Sequence, residues 1–396
     1  MKKNPYAYIA FMVLISTALA CAFSIGSPQP SGDEVATVVA STMQALTPVP
    51  ESASLLPRTF YFLGNDSAGL RQVFRIEKDG KTQRQITFEP VNVEDYDVSP
   101  ADGSVAYTVD NQLLFVNADG SGRRILVDGG AVDQNNPFVN NIANPVFSPN
   151  GQTLAYGHKG LNLYSLSSGV SNLVMENQIE DSGGGFLFPR ELYWPEKYSP
   201  DGGKLLITLG YYEGASAAVY YPAGNALARL TGGEGALICC DATEWTADGL
   251  SFYSASSAAG MFNSGLWRVD ASNGKVTTLF TSNYDTSSFN YAFKPYLAPD
   301  GQLYFFFRSA NSEYNTRTPL QLARSAPDGV TGRTVLRPDT FELMNEALWS
   351  PDASFVIAAL APIQDVYQGG KAELVYVDGR PNVTLTPFAQ QMKWGP

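Results

Sequence analysis

The sequence predicts an all-β fold, and three observations carry that prediction. Gly, Tyr and Phe are abundant (36, 21 and 22 residues) while only 16% of the chain is charged, a composition suited to strands and tight turns rather than helices. An apolar residue followed by Ser-Pro, or a close substitute, recurs at a spacing of roughly fifty residues, which is a repeat architecture before it is anything else. Each marker but the last then runs into a tight turn and a short apolar strand.

The markers are Asp97-Val98-Ser99-Pro100, Val146-Phe147-Ser148-Pro149, Lys197-Tyr198-Ser199-Pro200, Glu244-Trp245-Thr246-Ala247, Tyr296-Leu297-Ala298-Pro299, Leu348-Trp349-Ser350-Pro351 and Lys393-Trp394-Gly395-Pro396. Seven markers imply a seven-bladed β-propeller of four-stranded antiparallel blades. The turns include Asn150-Gly151, Asp201-Gly202, Asp248-Gly249 and Asp300-Gly301, where Asp or Asn bonds its own backbone and Gly accepts positive φ. Second strands follow directly, as in Leu154-Ala155-Tyr156 and Phe355-Val356-Ile357. Third strands such as Leu266-Trp267-Arg268-Val269 turn at an Asn-Gly or Asp-Gly pair, and outer strands such as Arg229-Leu230-Thr231 and Val383-Thr384-Leu385-Thr386 complete each unit. The two ends explain one another. Residues 60–62, 73–76 and 84–87 are three strands lacking a first, and residues 392–396 are a first strand lacking a blade. Pairing them closes the ring and removes its open edge.

Ahead of this body, Met1-Lys2-Lys3 and the apolar run over residues 6–20 read as a secretory signal spanning 1–20. Its end, Thr17-Ala18-Leu19-Ala20-Cys21, resembles a bacterial lipoprotein cleavage box, although Ala18 stands where Leu is usual. The expectation is a lipid on Cys21 that holds the protein to a membrane of the bacterial cell envelope, outside the cytoplasm. Ordinary cleavage after Ala20 and an uncleaved anchor helix are the alternatives. Residues 21–57, rich in Ser, Pro, Thr and Ala, form a tether. A short amphipathic helix is expected over 33–46, with acids Asp33 and Glu34 in its first turn and Pro48 stopping it. The propeller occupies 58–396.

The pattern of an aromatic residue, Ser-Pro-Asp-Gly, an apolar strand, an aromatic strand and a Leu-Thr ending resembles the TolB-type propeller repeat, a relative of the WD-repeat propellers. The resemblance covers the chain from about Arg58 to Pro396. Thr246-Ala247 replaces Ser-Pro in one unit, Ala298 replaces Ser in another, and Ala353 stands where Gly is usual. The family's namesake carries an α/β domain ahead of its propeller, where this chain has the tether. The resemblance implies a protein-interaction scaffold, and a fold alone assigns no function.

Chemistry finds little to draw on. His158 is the single His, it sits at an expected exposed turn, and no Gly-x-Ser-x-Gly elbow is present, so neither a Ser-His-Asp triad nor a multi-His metal site is expected. That separates the chain from the prolyl oligopeptidase family, whose propeller guards a catalytic domain, and from propeller-shaped pectate-type lyases with His-rich metal sites. No catalytic residue, cofactor or metal is expected. A net charge of −12 without a Lys/Arg cluster argues against nucleic acid. The Asn117-Ala118-Asp119-Gly120-Ser121 segment reads as a hairpin turn, because it lacks the later Glu of a calcium loop. Cys239-Cys240 is a candidate vicinal disulfide, strained because adjacent Cα atoms lie about 3.8 Å apart, or else two packed thiols.

The remaining candidates are the loops that join each outer strand to the next unit. They carry Asn135, Asn136 and Phe138; Phe186, Phe188, Arg190, Glu191, Tyr193 and Trp194; and Tyr284, Tyr291 and Phe341. Aromatic rings bordered by amides and charges suit a protein hot spot or a sugar ring. Long loops folding over their own aromatics is the competing account. The expected function is a non-catalytic scaffold that binds an envelope protein. The alternative is a carbohydrate-binding or carbohydrate-active propeller, with Glu191, Glu196, Asp241 and Glu244 as the acids available for glycoside chemistry.

Overall fold

A computed structural model describes residues 54–396 apart from 184–186, 241–242, 259–261 and 315–316. The expected signal, the Cys21 anchor and the helix over 33–46 therefore lie outside the described residues, as do Phe186 and Asp241. Among the described residues there are 28 strands and two short 3₁₀ turns, Pro137–Val139 and Pro222–Gly224. No helix among them is long and apolar enough to cross a membrane.

The strands form four-stranded antiparallel sheets in chain order. Residues 95–128, 143–176, 243–281 and 289–335 each make one such sheet. Residues 178–229 make a five-stranded sheet, in which an additional strand, Gln178–Asp181, pairs with Leu187–Tyr198. A seven-stranded sheet joins both ends of the body. The expected outer strand near Val383 and the expected final strand near Met392 are one continuous strand, Val383–Trp394, because the first pairing segment ends at Ala389, opposite Gly370, and the second begins at Gln390, opposite Leu63. Thr384 and Thr386 pair back onto Gly370–Tyr376, while Gln390, Lys393 and Trp394 pair with Leu63, Tyr61 and Phe60.

The repeated marker builds one turn. In Ser148-Pro149-Asn150-Gly151 the Ser148 hydroxyl donates to Asn150 Oδ1 at 2.7 Å and accepts the Thr153 N–H at 3.0 Å, while Asn150 Oδ1 accepts the Gln152 N–H at 3.0 Å. Ser199 and Ser350 repeat the arrangement with Asp201 and Asp352. Thr246 keeps it, because Thr retains the hydroxyl that Asp248 and Ser251 require. At Ala298 the hydroxyl is gone and the loop closes on the Ala298 N–H to Gln302 carbonyl bond of 2.9 Å.

Apolar clusters join each four-strand group to the next. Tyr61 and Leu63 pack with Tyr96 and Tyr107, Phe115 with Leu154 and Tyr156, and Ala155 and Leu161 with Tyr198 and Ile207. Leu206 and Val219 pack with Trp245 and Phe252, Tyr253 and Leu266 with Leu303 and Phe305, and Tyr304 and Phe306 with Trp349 and Val356. Ile357 and Leu374 then pack with Phe60 and Phe62, and Leu56, fully buried, joins that cluster. The marker Trp residues add polar clasps between groups. Trp245 Nε1 donates to the Lys197 carbonyl at 3.2 Å, Trp349 to Lys294 at 2.8 Å, and Trp394 to Trp349 at 2.7 Å.

Candidate functional site

The second and fourth strands of an antiparallel group run in the same direction, so the connections that follow them leave the same end of the sheet. That end carries the loops; the marker turns occupy the other.

On the loop end, the Asn-rich segment 133–141 spends polar groups on its own loop and on the neighbouring hairpins. Asp133 Oδ1 accepts the N–H groups of Asn135 and Asn136, and Asn140 Nδ2 donates to the Ala131 carbonyl at 2.7 Å. Asn136 is buried, Asn135 is exposed and Phe138 is half-buried. His158 is half-buried rather than exposed, because its Nδ1 is held 3.0 Å from the Asn140 carbonyl. Burial, together with Lys159, holds its pKa below the ordinary His value.

The segment around Leu187–Tyr198 brings the largest set of candidates together. Phe188 stacks on Tyr212 with ring centroids 4.8 Å apart, and the Arg190 guanidinium lies 5.0 Å from the Phe188 ring while pairing with Glu180. Glu191 is buried and accepts both Arg229 terminal nitrogens, at 2.6 and 2.7 Å. Burial works to raise the Glu191 carboxyl, but bonds from Arg229, Tyr193 and Tyr211 outweigh it and hold the group below the usual carboxylate range. Tyr193 is buried, takes a bond from Gln178 Nε2 at 3.0 Å, and has its hydroxyl pushed up to about 12 by burial and by Glu191. Trp194 is half-buried across Gly157 and Gly210, where a Cβ at either position would collide with the indole.

Among the other candidates, Tyr291 and Phe341 are core residues. Tyr291 is fully buried and accepts the Tyr314 N–H at 3.1 Å, and Phe341 packs edge-on against Phe306 at 5.2 Å. Tyr284 remains exposed, edge-on to Phe289 at 5.2 Å. Cys239 is buried and Cys240 exposed with φ of 60°, its N–H donating to Thr208 Oγ1 at 3.2 Å.

Residues outside the expected set complete this end. Tyr211 and Tyr212 form the hairpin tip facing Phe188 and Glu191, and the Tyr-Tyr pair ahead of Glu213-Gly214 was the signal for them. Tyr367 and Phe88 are 71% and 72% exposed. Arg317 staples the loop carrying Tyr367, donating to the Gln364 carbonyl at 2.9 Å and to Asn345 Oδ1 at 2.8 Å with its guanidinium 4.6 Å from the Tyr367 ring.

Three of the acids considered for glycoside chemistry are described, and each is engaged. Glu191 holds Arg229, Glu196 accepts the Thr208 hydroxyl at 2.7 Å, and Glu244 accepts Lys197 Nζ at 2.6 Å. Among the described residues no group of three or more His, Cys, Asp and Glu side chains could hold a metal ion. A shallow cavity of about 280 Å³, lined by Ser148, Pro149, Tyr198, Asp201 and Pro222, lies on the turn end, away from these residues.

No family model matches the chain, and no curated protein matches it. Among solved structures it is similar to TolB from Acinetobacter baumannii, with a TM-score of 0.45 and 16% identity over 93% of this chain and 73% of that one. A prolyl endopeptidase structure is similar with a TM-score of 0.52 and 13% identity over 92% of this chain and 57% of that one. An oligogalacturonate lyase in complex with manganese is similar with a TM-score of 0.51 and 7% identity over 83% and 84%. At such identities a likeness reports the fold alone, so these structures carry no activity to this chain. The chain's own architecture is an all-β array of antiparallel, mostly four-stranded sheets among the described residues, consistent with a β-propeller.

Proposed function

We propose that this chain is a non-catalytic extracytoplasmic scaffold, held to a membrane of the bacterial envelope by a lipid on Cys21, that binds a protein partner through the loop end of a closed seven-bladed ring. The ring reading is supported by the cyclic order of contacts, in which the last apolar cluster joins residues 355–374 to Phe60 and Phe62. The shared strand Val383–Trp394 supports it further.

One observation carries the binding reading. Aromatic faces stay exposed on the loop end, at Phe88, Tyr212, Tyr284 and Tyr367, while the neighbouring acids are tied to Arg229, Thr208 and Lys197. Exposed aromatics bordered by hydrogen-bonding groups suit a protein hot spot, whereas general acid–base catalysis needs a carboxyl that is free to exchange a proton. Carbohydrate binding is the second reading, favoured by the Phe188–Tyr212 stack with Arg190 beside it.

The test is photo-crosslinking in intact cells from residues replaced one at a time at Tyr212, Tyr367 and, on the turn end, Asp119. One envelope protein captured from both loop positions and not from Asp119 is the expected result. Capture of no protein, or equal capture from Asp119, would overturn the partner reading. Retention on a polysaccharide gel that is lost in Phe188→Ala and Tyr212→Ala would establish the second. Cys21→Ser is expected to release the chain from the membrane fraction, and its persistence there would sink the anchor.

A further inference from the structure

Charge is spread unevenly over the two ends of the body. The chain carries −12 overall, and exposed acids stand on the loop end at Asp110, Glu176, Glu213, Glu234, Asp285 and Asp365. Arg190, Arg229 and Lys371 are already paired, with Glu180, Glu191 and Glu373. The sign reverses at one corner of the turn end. Consecutive strands of a group run antiparallel, so the turn between its third and fourth strands lies on the same end as its marker turn. Residues 77–82 make that turn between Arg71–Ile76 and Gln83–Gln85, and around it Arg58, Arg75, Lys78, Lys81 and Arg84 outnumber Glu77 and Asp79. Arg75 holds Glu77 at 2.6 Å, and Asp79 accepts the Lys81 and Thr82 N–H groups of its own turn, each at 2.8 Å. Arg58, Lys78, Lys81 and Arg84 are exposed.

The chain enters the body at this same corner. Leu56, fully buried, donates its N–H to the Lys78 carbonyl at 2.9 Å, and Leu55 lies against Gly80. The covalent connection to Cys21 therefore leaves from the basic corner and not from the acidic end.

We infer that this corner docks on the anionic phospholipid headgroups of the membrane to which the chain is tethered, and so turns the loop end away from that membrane. The inference rests on the lipid anchor proposed at Cys21: the anchor supplies attachment, and the corner supplies orientation. Lys and Arg side chains are drawn to an anionic surface within a screening length of it, roughly 10 Å at moderate salt. A six-residue strand such as Phe60–Asn65 spans about 20 Å, so with the corner against the membrane the loop-end acids stand about two screening lengths further out. In the opposite pose those acids would face like charge. The favoured pose leaves Phe88, Tyr212, Tyr284 and Tyr367 open to a protein partner. An acidic protein would suit the same basic side chains, but the chain's own connection brings the membrane to this corner.

The test uses the full chain with its native anchor, reconstituted into phosphatidylcholine vesicles with or without phosphatidylglycerol and carrying a photo-crosslinking residue at Gln83 or at Tyr212. A labelled phospholipid reports capture, and flotation of the chain with the vesicles reports anchoring. With phosphatidylglycerol present, Gln83 is expected to capture about tenfold more phospholipid than Tyr212, and to lose most of that capture at high salt or in vesicles without phosphatidylglycerol. The R58Q/K78Q/K81Q/R84Q variant is expected to lose it too, with flotation and melting temperature unchanged. Equal capture from the two positions, or capture at Gln83 that survives both high salt and the four substitutions, would overturn the docking surface and leave the anchor standing. A chain that floats with neither kind of vesicle would overturn the anchor, and the docking surface with it. Capture of a protein in place of lipid from Gln83 in intact cells would assign the corner to an acidic partner and overturn the inference as well.

Discussion

Gly151 and Gly301 occupy the same place in the repeated turn, both in the left-handed region at φ of 68° and 78°, yet a side chain meets different surroundings at each. A Cβ at Gly151 would lie 2.7 Å from Ser99 Oγ and 2.9 Å from Ala101 Cβ of the preceding group, whereas nothing lies within 4 Å at Gly301. Gly301→Ala is therefore expected to cost only the backbone strain, about 1 kcal/mol. Gly151→Ala adds a steric penalty between sheets and should cost about 3 kcal/mol, read as the difference in denaturation midpoints. Glu89 offers a second residue-scale expectation. It is buried, accepts Arg123 at 2.7 and 2.9 Å and the Tyr107 hydroxyl at 2.6 Å, and the Arg123 bonds hold its carboxyl below the usual range. A carboxyl depressed in the folded state stabilises above its unfolded value of about 4.3 and loses that contribution as pH falls through the folded value. Glu89→Gln should thus cost about 2 kcal/mol at pH 7, and the gap should close as urea titrations are carried to progressively lower pH below about 4.3. A gap that stays constant with pH would show that packing, not charge, is what Glu89 contributes.

Strands and turns were legible in the sequence because they obey local rules: period-two apolar runs, an Asp or Asn bonding its own backbone, and Gly at positive φ. What depends on register was not. Innermost strands shift pairing between Ala143 and Val146, between Pro195 and Lys197, and between Phe293 and Tyr296, with Asn144 and Lys294 in the left-handed region. A one-residue slip turns every side chain to the other face, so loop aromatics adjacent to such shifts cannot be assigned inward or outward from the sequence. Tyr193 and Tyr291 went inward for this reason, and the exposed aromatic surface passed to Tyr212 and Tyr367. The strand Gln178–Asp181 was equally hidden, since Gln-Ile-Glu-Asp has no strand pattern and forms by pairing with residues 187–191. The marker Trp was legible as part of a repeat but not as a clasp. Trp349→Phe keeps an aromatic ring yet leaves the buried-side Lys294 carbonyl without its indole donor, and it should cost about 2 kcal/mol in chemical denaturation. A cost near zero would mean that water replaces the donor at once.

At the scale of the whole molecule, the question is whether the two chain ends act as one element. Residues 390–394 supply the pairing partner of Phe60–Asn65, and Met392 and Trp394 pack in the cluster that holds Phe60, Phe62, Ile357 and Leu374. The same segment reaches the next group, where Lys393 Nζ meets Asp97 Oδ1 at 2.9 Å and the Tyr96 hydroxyl donates to the Gln391 carbonyl at 2.7 Å. It reaches the previous group too, through the Glu346 carboxylate, which accepts the Met392 N–H at 3.1 Å. Deleting residues 390–396 removes contacts to three groups at once and uncovers several large apolar side chains, a loss on the order of 5 kcal/mol or more. If the groups close on one another as proposed, the truncated chain should still melt in a single transition, several degrees lower than the full chain, because no group can keep its packing once the ring opens. If the array is open, residues 60–85 lose their strand partner while the neighbouring groups lose only edge contacts. The main transition would then keep its midpoint, and a separate early transition, with hydrogen exchange confined to residues 60–85, would appear ahead of it.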